Sequence, residues 1–311
     1  MARCFAQQID HYVTAMQDIN RAETFYCGVL GGKVKRKRLD YGREPEADPH
    51  GTRPPSMFVQ LGTIELGLFG DELWGLPYRK LNRGIPRWAY EVATEDFPKL
   101  LDRLRRAGVP FDGPQGDDGD DASHVWLHDP EGNFVEFVDR GTPKRRPQDE
   151  VEIVRLDRVD YESTDLSRTA DFYVGAMGFE VTHRGRSPEG NPCLDLRLPT
   201  SGQLFRFQRV ERPSIQTWAR FRGNHLAFYV PHEDFAAACA QLDEYGVINH
   251  DERGDATHGD LRIVRRENEG DGGGEGTYFL DPNGYNLQYI AHAGTHFDEA
   301  PASGGRGRPG R

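Results

Sequence analysis

One turn phrase occurs twice in closely matching surroundings. It stands first in Leu127-His128-Asp129-Pro130-Glu131-Gly132-Asn133-Phe134-Val135-Glu136-Phe137-Val138, and again in Phe279-Leu280-Asp281-Pro282-Asn283-Gly284-Tyr285-Asn286-Leu287-Gln288-Tyr289. Proline presets φ at the second turn position and glycine accepts a positive φ at the fourth, so each copy reads as a strand, a tight turn and a second strand. Beyond the first turn, side chains alternate faces, which puts Phe134, Glu136 and Val138 on one side. A carboxylate among apolar neighbours is costly to bury unless a cation meets it, so a metal or an arginine is expected beside Glu136.

The repetition extends to the whole chain, and an internal repeat constrains the fold more than any single motif. Gln8 to Ala15 alternates like a strand, and Asp18 to Gly32 follows as a helix with a polar cap and a glycine stop. Strands are expected over Lys33–Arg38, Ser56–Leu61 and Thr63–Phe69, with a polar loop from Asp40 to Pro55. A second unit opens at Arg87-Trp88-Ala89-Tyr90-Glu91-Val92. Its helix, Asp96 to Ala107, places Phe97, Leu100, Leu101 and Leu104 on one face. An acidic turn from Gly113 to Asp121 leads to strands His124–Leu127 and Phe134–Val138. The second half repeats the plan: Leu156-Asp157-Arg158 matches Ile9-Asp10-His11, the helical Phe172-Tyr173 matches Phe25-Tyr26, and His225 to Val230 matches the strand at Arg87. The pattern is βαβββ four times.

The chain has 311 residues, long enough for two domains, with 36% hydrophobic residues, 36 Gly and 20 Pro, a mix that suits short elements joined by turns. A formal charge of -11 argues against nucleic acid and anionic membrane as partners. The absence of a long apolar run, and an N-terminus that does not read as a signal peptide, set a cytoplasmic expectation. Four scattered cysteines without a C-x-x-C pair disfavour a disulfide framework or zinc ribbon. The expected division is 1–141 as a first βαβββ pair, 142–150 as linker, 151–293 as a second pair with a degenerate site, and 294–311 as a disordered tail.

Four such units, with Phe-Tyr helices and closing Asp-Pro-x-Gly turns, resemble the vicinal oxygen chelate superfamily of glyoxalases, extradiol dioxygenases and bleomycin resistance proteins. The resemblance implies an α+β fold in which paired βαβββ modules curl into open barrels. It also implies a divalent metal, Fe, Mn, Ni, Zn or Mg, held by the first and last strands of the units. Carried over residue by residue, it gives His11, Glu65 and Glu136 as ligands in the first domain, with Arg87 at the fourth position, and His225 as a weaker ligand beside Arg158 and Gln288 in the second. Glu136 and Arg87 are the expected catalytic residues. Arg87, Trp88, Trp126 and Tyr278 are expected to bind substrate. His124 and His128, either side of the first turn, could serve that site or lie at the surface. The activity implied is glyoxalase- or dioxygenase-type chemistry on a small, oxygenated, anionic molecule chelated to the metal through two oxygens. Two alternatives stay open. One is extradiol ring cleavage in the second domain. The other is a metal-free, drug-sequestering protein whose apolar cleft is lined by Trp88, Tyr90, Trp126 and Phe134, with Arg87 forming ion pairs in place of the metal. A homodimer is also left open.

Overall fold

The computed structural model describes residues 2–16, 18–39, 55–70, 87–117, 120–130, 132–145, 151–187, 190–212, 225–247, 249–250, 256–257, 264–266 and 274–292. Residues 40–54 of the polar loop, 146–150 of the linker and the tail from 294 lie outside them.

Four modules follow one another. The first is β1 (Gln8–Met16), α1 (Ile19–Glu23, continued by the π-helical Thr24–Val29), β2 (Lys33–Arg38), β3 (Ser56–Leu61) and β4 (Ile64–Gly70). The second is β5 (Arg87–Val92), α2 (Phe97–Arg106), β6 (Phe111–Asp117), β7 (Asp120–His128) and β8 (Phe134–Asp139). The third is β9 (Ile153–Ser163), α3 (Leu166–Gly175), β10 (Glu180–Arg186), β11 (Pro192–Arg197) and β12 (Leu204–Arg209). The fourth has β13 (His225–Tyr229), α4 (His232–Tyr245), the short β14 (Asn249–His250), β15 (Ala256–Thr257) and β16 (Val264–Arg266), then β17 (Gly274–Leu280) and β18 (Asn286–His292). The acidic stretch expected as a turn is a strand hairpin instead, β6 against β7, whose register shifts between Asp112 and Gln115 around Gly113 at φ 99°.

Both α1 and α3 start under the same cap. Asp18 accepts from the backbone N–H groups of Asn20 and Arg21, and Asp165 from those of Ser167 and Arg168. Each helix then presents its Phe-Tyr pair to the core. Tyr26 donates to Asp129 of the first Asp-Pro-x-Gly turn at 2.6 Å, and Tyr173 donates to Asp281 of the second at 3.2 Å. The two repeated sequence signatures are therefore partners, the helix of one module clamping the closing turn of the next. Tyr12 stacking on Trp88 (centroids 3.9 Å apart) joins the same first two modules, and Tyr161 against Tyr285 (4.1 Å) the last two.

Hydrogen bonding joins the modules differently. Within each, the first strand pairs with the last and lies at the edge, where its free backbone groups need a partner. That partner is the first strand of another module: β1 runs antiparallel to β13, and β5 antiparallel to β9. Modules one and four thus form a ten-stranded sheet, and modules two and three an eight-stranded one. Each sheet takes strands from both sides of the expected division at residues 141 and 151. One contiguous core lies between them, from Tyr12, Leu66 and Trp88 to Phe205 and Phe228. Among the described residues no helix is long and apolar enough to cross a membrane.

Candidate functional site

Strand register decides which side chains share a face, since residues directly paired across a sheet point the same way. In the ten-stranded sheet, Gln288 of β18 pairs with Ala227 of β13, Ala227 with His11 of β1, and His11 with Glu65 of β4. His225, two residues before Ala227, belongs to the same face. In the eight-stranded sheet the corresponding row is Glu136, Ala89, Arg158 and Leu204, with Arg87 in the place of His225. The two sheets are built alike and carry different chemistry.

In the ten-stranded sheet two imidazoles converge. His11 Nε2 and His225 Nε2 stand 3.0 Å apart, and His11 Nδ1 lies 2.5 Å from the buried Asp10 carboxylate. A carboxylate on Nδ1 fixes the tautomer and turns the Nε2 lone pair toward His225, the support that metal-bound histidines use. Two nitrogens held at about 2.1 Å from one ion at a right angle lie about 3.0 Å apart, so the spacing fits a shared cation. Gln288 is 1% exposed, and its Oε1 has no hydrogen-bond partner among the described residues. An orphaned carbonyl on this face is a further oxygen donor in search of a partner. Gly276 makes room for this amide, since a Cβ there would come within 2.9 Å of Gln288 Nε2. Glu65 is half-buried, its Oε1 3.6 Å from the Arg36 guanidinium. Tyr278 pairs with Gln288 and meets the His225 ring edge-on at 5.2 Å. Two imidazoles, a carboxylate and an amide suit a divalent ion, although among the described residues no three His, Cys, Asp or Glu side chains are already gathered into a metal cluster.

In the eight-stranded sheet the charges are already spent on each other. Glu136 Oε2 accepts from Arg158 at 2.8 Å and lies 3.3 Å from Arg87 Nε, while its Oε1 is 2.7 Å from His124 Nδ1. Asp160 accepts from Arg158 at 2.9 Å and from Arg87. All five side chains are buried. Burial alone would raise the Glu136 carboxyl, but Arg158, His124 and Arg87 together hold it below its ordinary value. Asp160 is likewise penalised by burial, yet the two guanidiniums bring it down to about 2. Arginine cannot ligate a metal, and its planar fork satisfies both carboxylates.

These positions correct the expected site. His11 and Glu65 lie in one sheet and Glu136 in the other, so the triad does not converge. Arg87 is tied to Glu136 and Asp160 rather than lying beside a metal, and Arg158 shares the same two acids. His124 joins this cluster, whereas His128 is exposed. The apolar cleft does not form either. Trp88 and Tyr90 point into the core, Tyr90 approaching Tyr12 through their hydroxyls, while Trp126 and Phe134 occupy the opposite face of the sheet with Glu136. Trp126 stacks on His124 at 5.7 Å, and Arg87 lies over Phe134 at 5.8 Å. Gln288, named from the sequence only as a neighbour of His225, comes onto the histidine face with it.

Comparison with known proteins agrees with this architecture. The sequence signature described as Glyoxalase/Bleomycin resistance protein/Dioxygenase superfamily matches residues 8–137 and 155–289. A lactoylglutathione lyase of Arabidopsis thaliana is 27% identical over 183 residues, covering 58% of this chain and 57% of the relative. The chain thus spans just over half the length of that curated relative. Among solved structures, a Bacillus subtilis protein assigned to the dioxygenases superposes with a TM-score of 0.64 at 16% identity, over 94% of this chain and 87% of that one. Glyoxalase I of Zea mays superposes with a TM-score of 0.54 at 17% identity, over 91% and 92%. At such identities the structures speak for the fold alone. With four modules joined first strand to first strand, and both halves matched by one signature, the chain belongs to the Glyoxalase/Bleomycin resistance protein/Dioxygenase superfamily.

Proposed function

We infer that this chain is a metal-dependent enzyme that chelates two neighbouring oxygens of a small anionic molecule, and that its working site lies between the first and fourth modules. The observation that carries the reading is the 3.0 Å approach of His11 Nε2 to His225 Nε2, backed by Asp10 on one side and the unpartnered Gln288 carbonyl on the same face. His11, His225 and Glu65 would hold the ion, with Gln288 as a neutral fourth donor. When bound, a divalent ion supplies stabilisation of negative charge developing on the substrate oxygens. Asp10 keeps the His11 ring in its orientation. Glu65 is the single carboxylate in this row, and an amide cannot take up a proton, so Glu65 is the group able to move a proton at its Oε atoms. Tyr278, edge-on to His225, would border the substrate. The setting on this reading is the cytoplasm and the partner is a small molecule.

The donor set bears on the reaction. Two imidazoles with one carboxylate is the arrangement of non-haem ferrous oxygenases, and the amide at 288 is what leaves this site with that count. Oxygen-dependent cleavage therefore stands beside lactoylglutathione-type lyase chemistry as a second reading. Metal content of the purified protein, measured by mass spectrometry, tests the shared claim. About one divalent ion per chain is expected. His11→Ala and His225→Ala should each abolish it, and Glu136→Gln should leave it intact. A protein that takes up no Fe, Mn, Ni or Zn and gains no thermal stability from any of them overturns the reading. Oxygen uptake with catechols against turnover of lactoylglutathione then separates the two chemistries.

A further inference from the structure

Asn286 opens β18, two residues before Gln288, and the metal reading does not use it. Side chains two apart on a strand share a face, so Asn286 lies with Gln288 on the histidine side, whereas Leu287 and Tyr289 belong to the core. Leu226 pairs with Leu287 and Ala227 with Gln288, so one step back along these parallel strands His225 and Asn286 are lateral neighbours. The twin position in the eight-stranded sheet has the same pairing, Arg87 with Phe134. There an apolar ring lies 5.8 Å from the guanidinium carbon. Here an amide stands beside an imidazole.

Asn286 is 3% exposed, and its Oδ1 has no hydrogen-bond partner among the described residues. A buried carbonyl left unpaired keeps its whole desolvation penalty. The amides of the two closing turns are in a different condition: Asn133 donates to Asp129 at 2.8 Å, and Asn283 donates to Asp281 at 3.1 Å. Slack in the backbone does not explain the orphan. The Asp281 N–H donates to the Tyr285 carbonyl at 3.0 Å, the Asp281 carboxylate accepts from the Tyr285 N–H at 2.9 Å, and the Tyr285 hydroxyl accepts from the Glu162 N–H at 2.9 Å. The residue before Asn286 is thus pinned. An acceptor held rigid and unpaired is prepared for a donor that comes from outside the chain. Neighbouring strands lie about 4.8 Å apart and residues two apart on a strand about 6.8 Å, so Asn286 stands one strand's width from His225 and further from Gln288. That places it beyond the ligands themselves, beside whatever is attached next to the chelated oxygens. An amide oxygen accepts from a neutral O–H and offers nothing to an ionised oxygen.

We propose that Asn286 is a specificity-determining residue of this site: its Oδ1 accepts a hydrogen bond from a neutral hydroxyl that neighbours the two chelated oxygens. The substrate class is thus a compound with three oxygens in a row, two for the ion and a third that keeps its proton. The proposal rests on the metal reading above.

The test uses two ligands that differ in that third group. Catechol offers two neighbouring oxygens, and pyrogallol offers the same pair with one more hydroxyl beside it. Binding of each to the full chain loaded with Mn²⁺ is followed by calorimetry under nitrogen, after Mn²⁺ affinity has been measured alone. Pyrogallol should bind about tenfold more tightly, the size of one hydrogen bond that also satisfies a buried orphan. Asn286→Leu, which keeps the branched shape without the acceptor, should remove the preference and leave Mn²⁺ affinity unchanged. Its melting temperature in EDTA should equal or exceed that of the unaltered chain, because an unpaired acceptor has been replaced by an apolar group. Asn286→Asp, which keeps an acceptor at the same reach, should retain the preference. Equal binding of the two ligands by the unaltered chain, an unchanged preference in Asn286→Leu, or a preference lost as fully in Asn286→Asp overturns the role of Asn286 while the metal reading stands. A lower melting temperature or loss of Mn²⁺ in Asn286→Leu overturns it too, since the amide would then be supporting the strand or the ion. A chain that binds no Mn²⁺, Fe²⁺, Ni²⁺ or Zn²⁺ removes both.

Discussion

At the residue scale, the contrast between Glu136 and Glu65 shows how much a side chain's meaning depends on its neighbours. Both are carboxylates on the last strand of a module. Glu136 is fully buried and held by two guanidiniums and an imidazole, while Glu65 keeps partial access to solvent and, among the described residues, meets the Arg36 guanidinium at 3.6 Å. Removing the charge of Glu136 would leave Asp160 as the one remaining acid that Arg87 and Arg158 share among the described residues. Glu136→Gln is therefore expected to cost about 3–5 kcal/mol, read as a lower denaturant midpoint with metal content unchanged. An expected metal ligand would lose that metal as well, so the experiment separates the two roles. The sequence already carried the warning in Arg87, a residue that cannot ligate. What it did not carry was the identity of the strand beside β5, and without that neither Arg158 nor Asp160 could be brought to Glu136. Trp88 and Tyr90 were legible as a pair, since alternation alone puts both on the side opposite Arg87 and Ala89; that Trp126 and Phe134 fall on the Ala89 face was not, because it follows from the pairing of β5 with β8 and of β8 with β7.

At the scale of elements, the tyrosine on each helix and the aspartate of each closing turn form one device. Asp281 accepts from the backbone of Asn283 and Tyr285 as well as from Tyr173, and it is fully buried. Burial outweighs these bonds and pushes its carboxyl up to about 6 from an ordinary 3.8. The folded chain consequently holds this proton more tightly than the unfolded chain does. Its contribution to stability grows as pH falls from about 6 towards 3.8 and is lost as pH rises back through 6. Asp160, depressed to about 2, acts in the opposite sense and only below 3.8. Asp281→Asn should flatten the stability profile between pH 4 and 6 by about 2–3 kcal/mol, measured as urea midpoints across that range. A profile that keeps its slope in the variant assigns the effect to another group. The repeated Phe-Tyr and Asp-Pro-x-Gly phrases were visible in the chain. That they touch was not, because the two signatures are separated by about a hundred residues and nothing local links them.

At the scale of the molecule, the order of modules was readable and their partnership was not. Each βαβββ unit ends with its first strand exposed at an edge, and any other first strand could satisfy it. Joining the first module to the fourth places His11 and Glu65 from one half beside His225 and Gln288 from the other. Residues 1–141 and 151–293 produced separately should each fail to take up metal, and mixing them should restore uptake. Metal bound by the first fragment alone would return the site to a single half. The second sheet lends this arrangement a final property. Its arginine and carboxylate lattice welds the middle modules with charges that no chelator can extract, while on the proposed reading the chemistry of the outer modules depends on an ion that can leave. Stripped by a chelating agent, the protein should fall silent yet keep its shape, ready to be recharged without refolding.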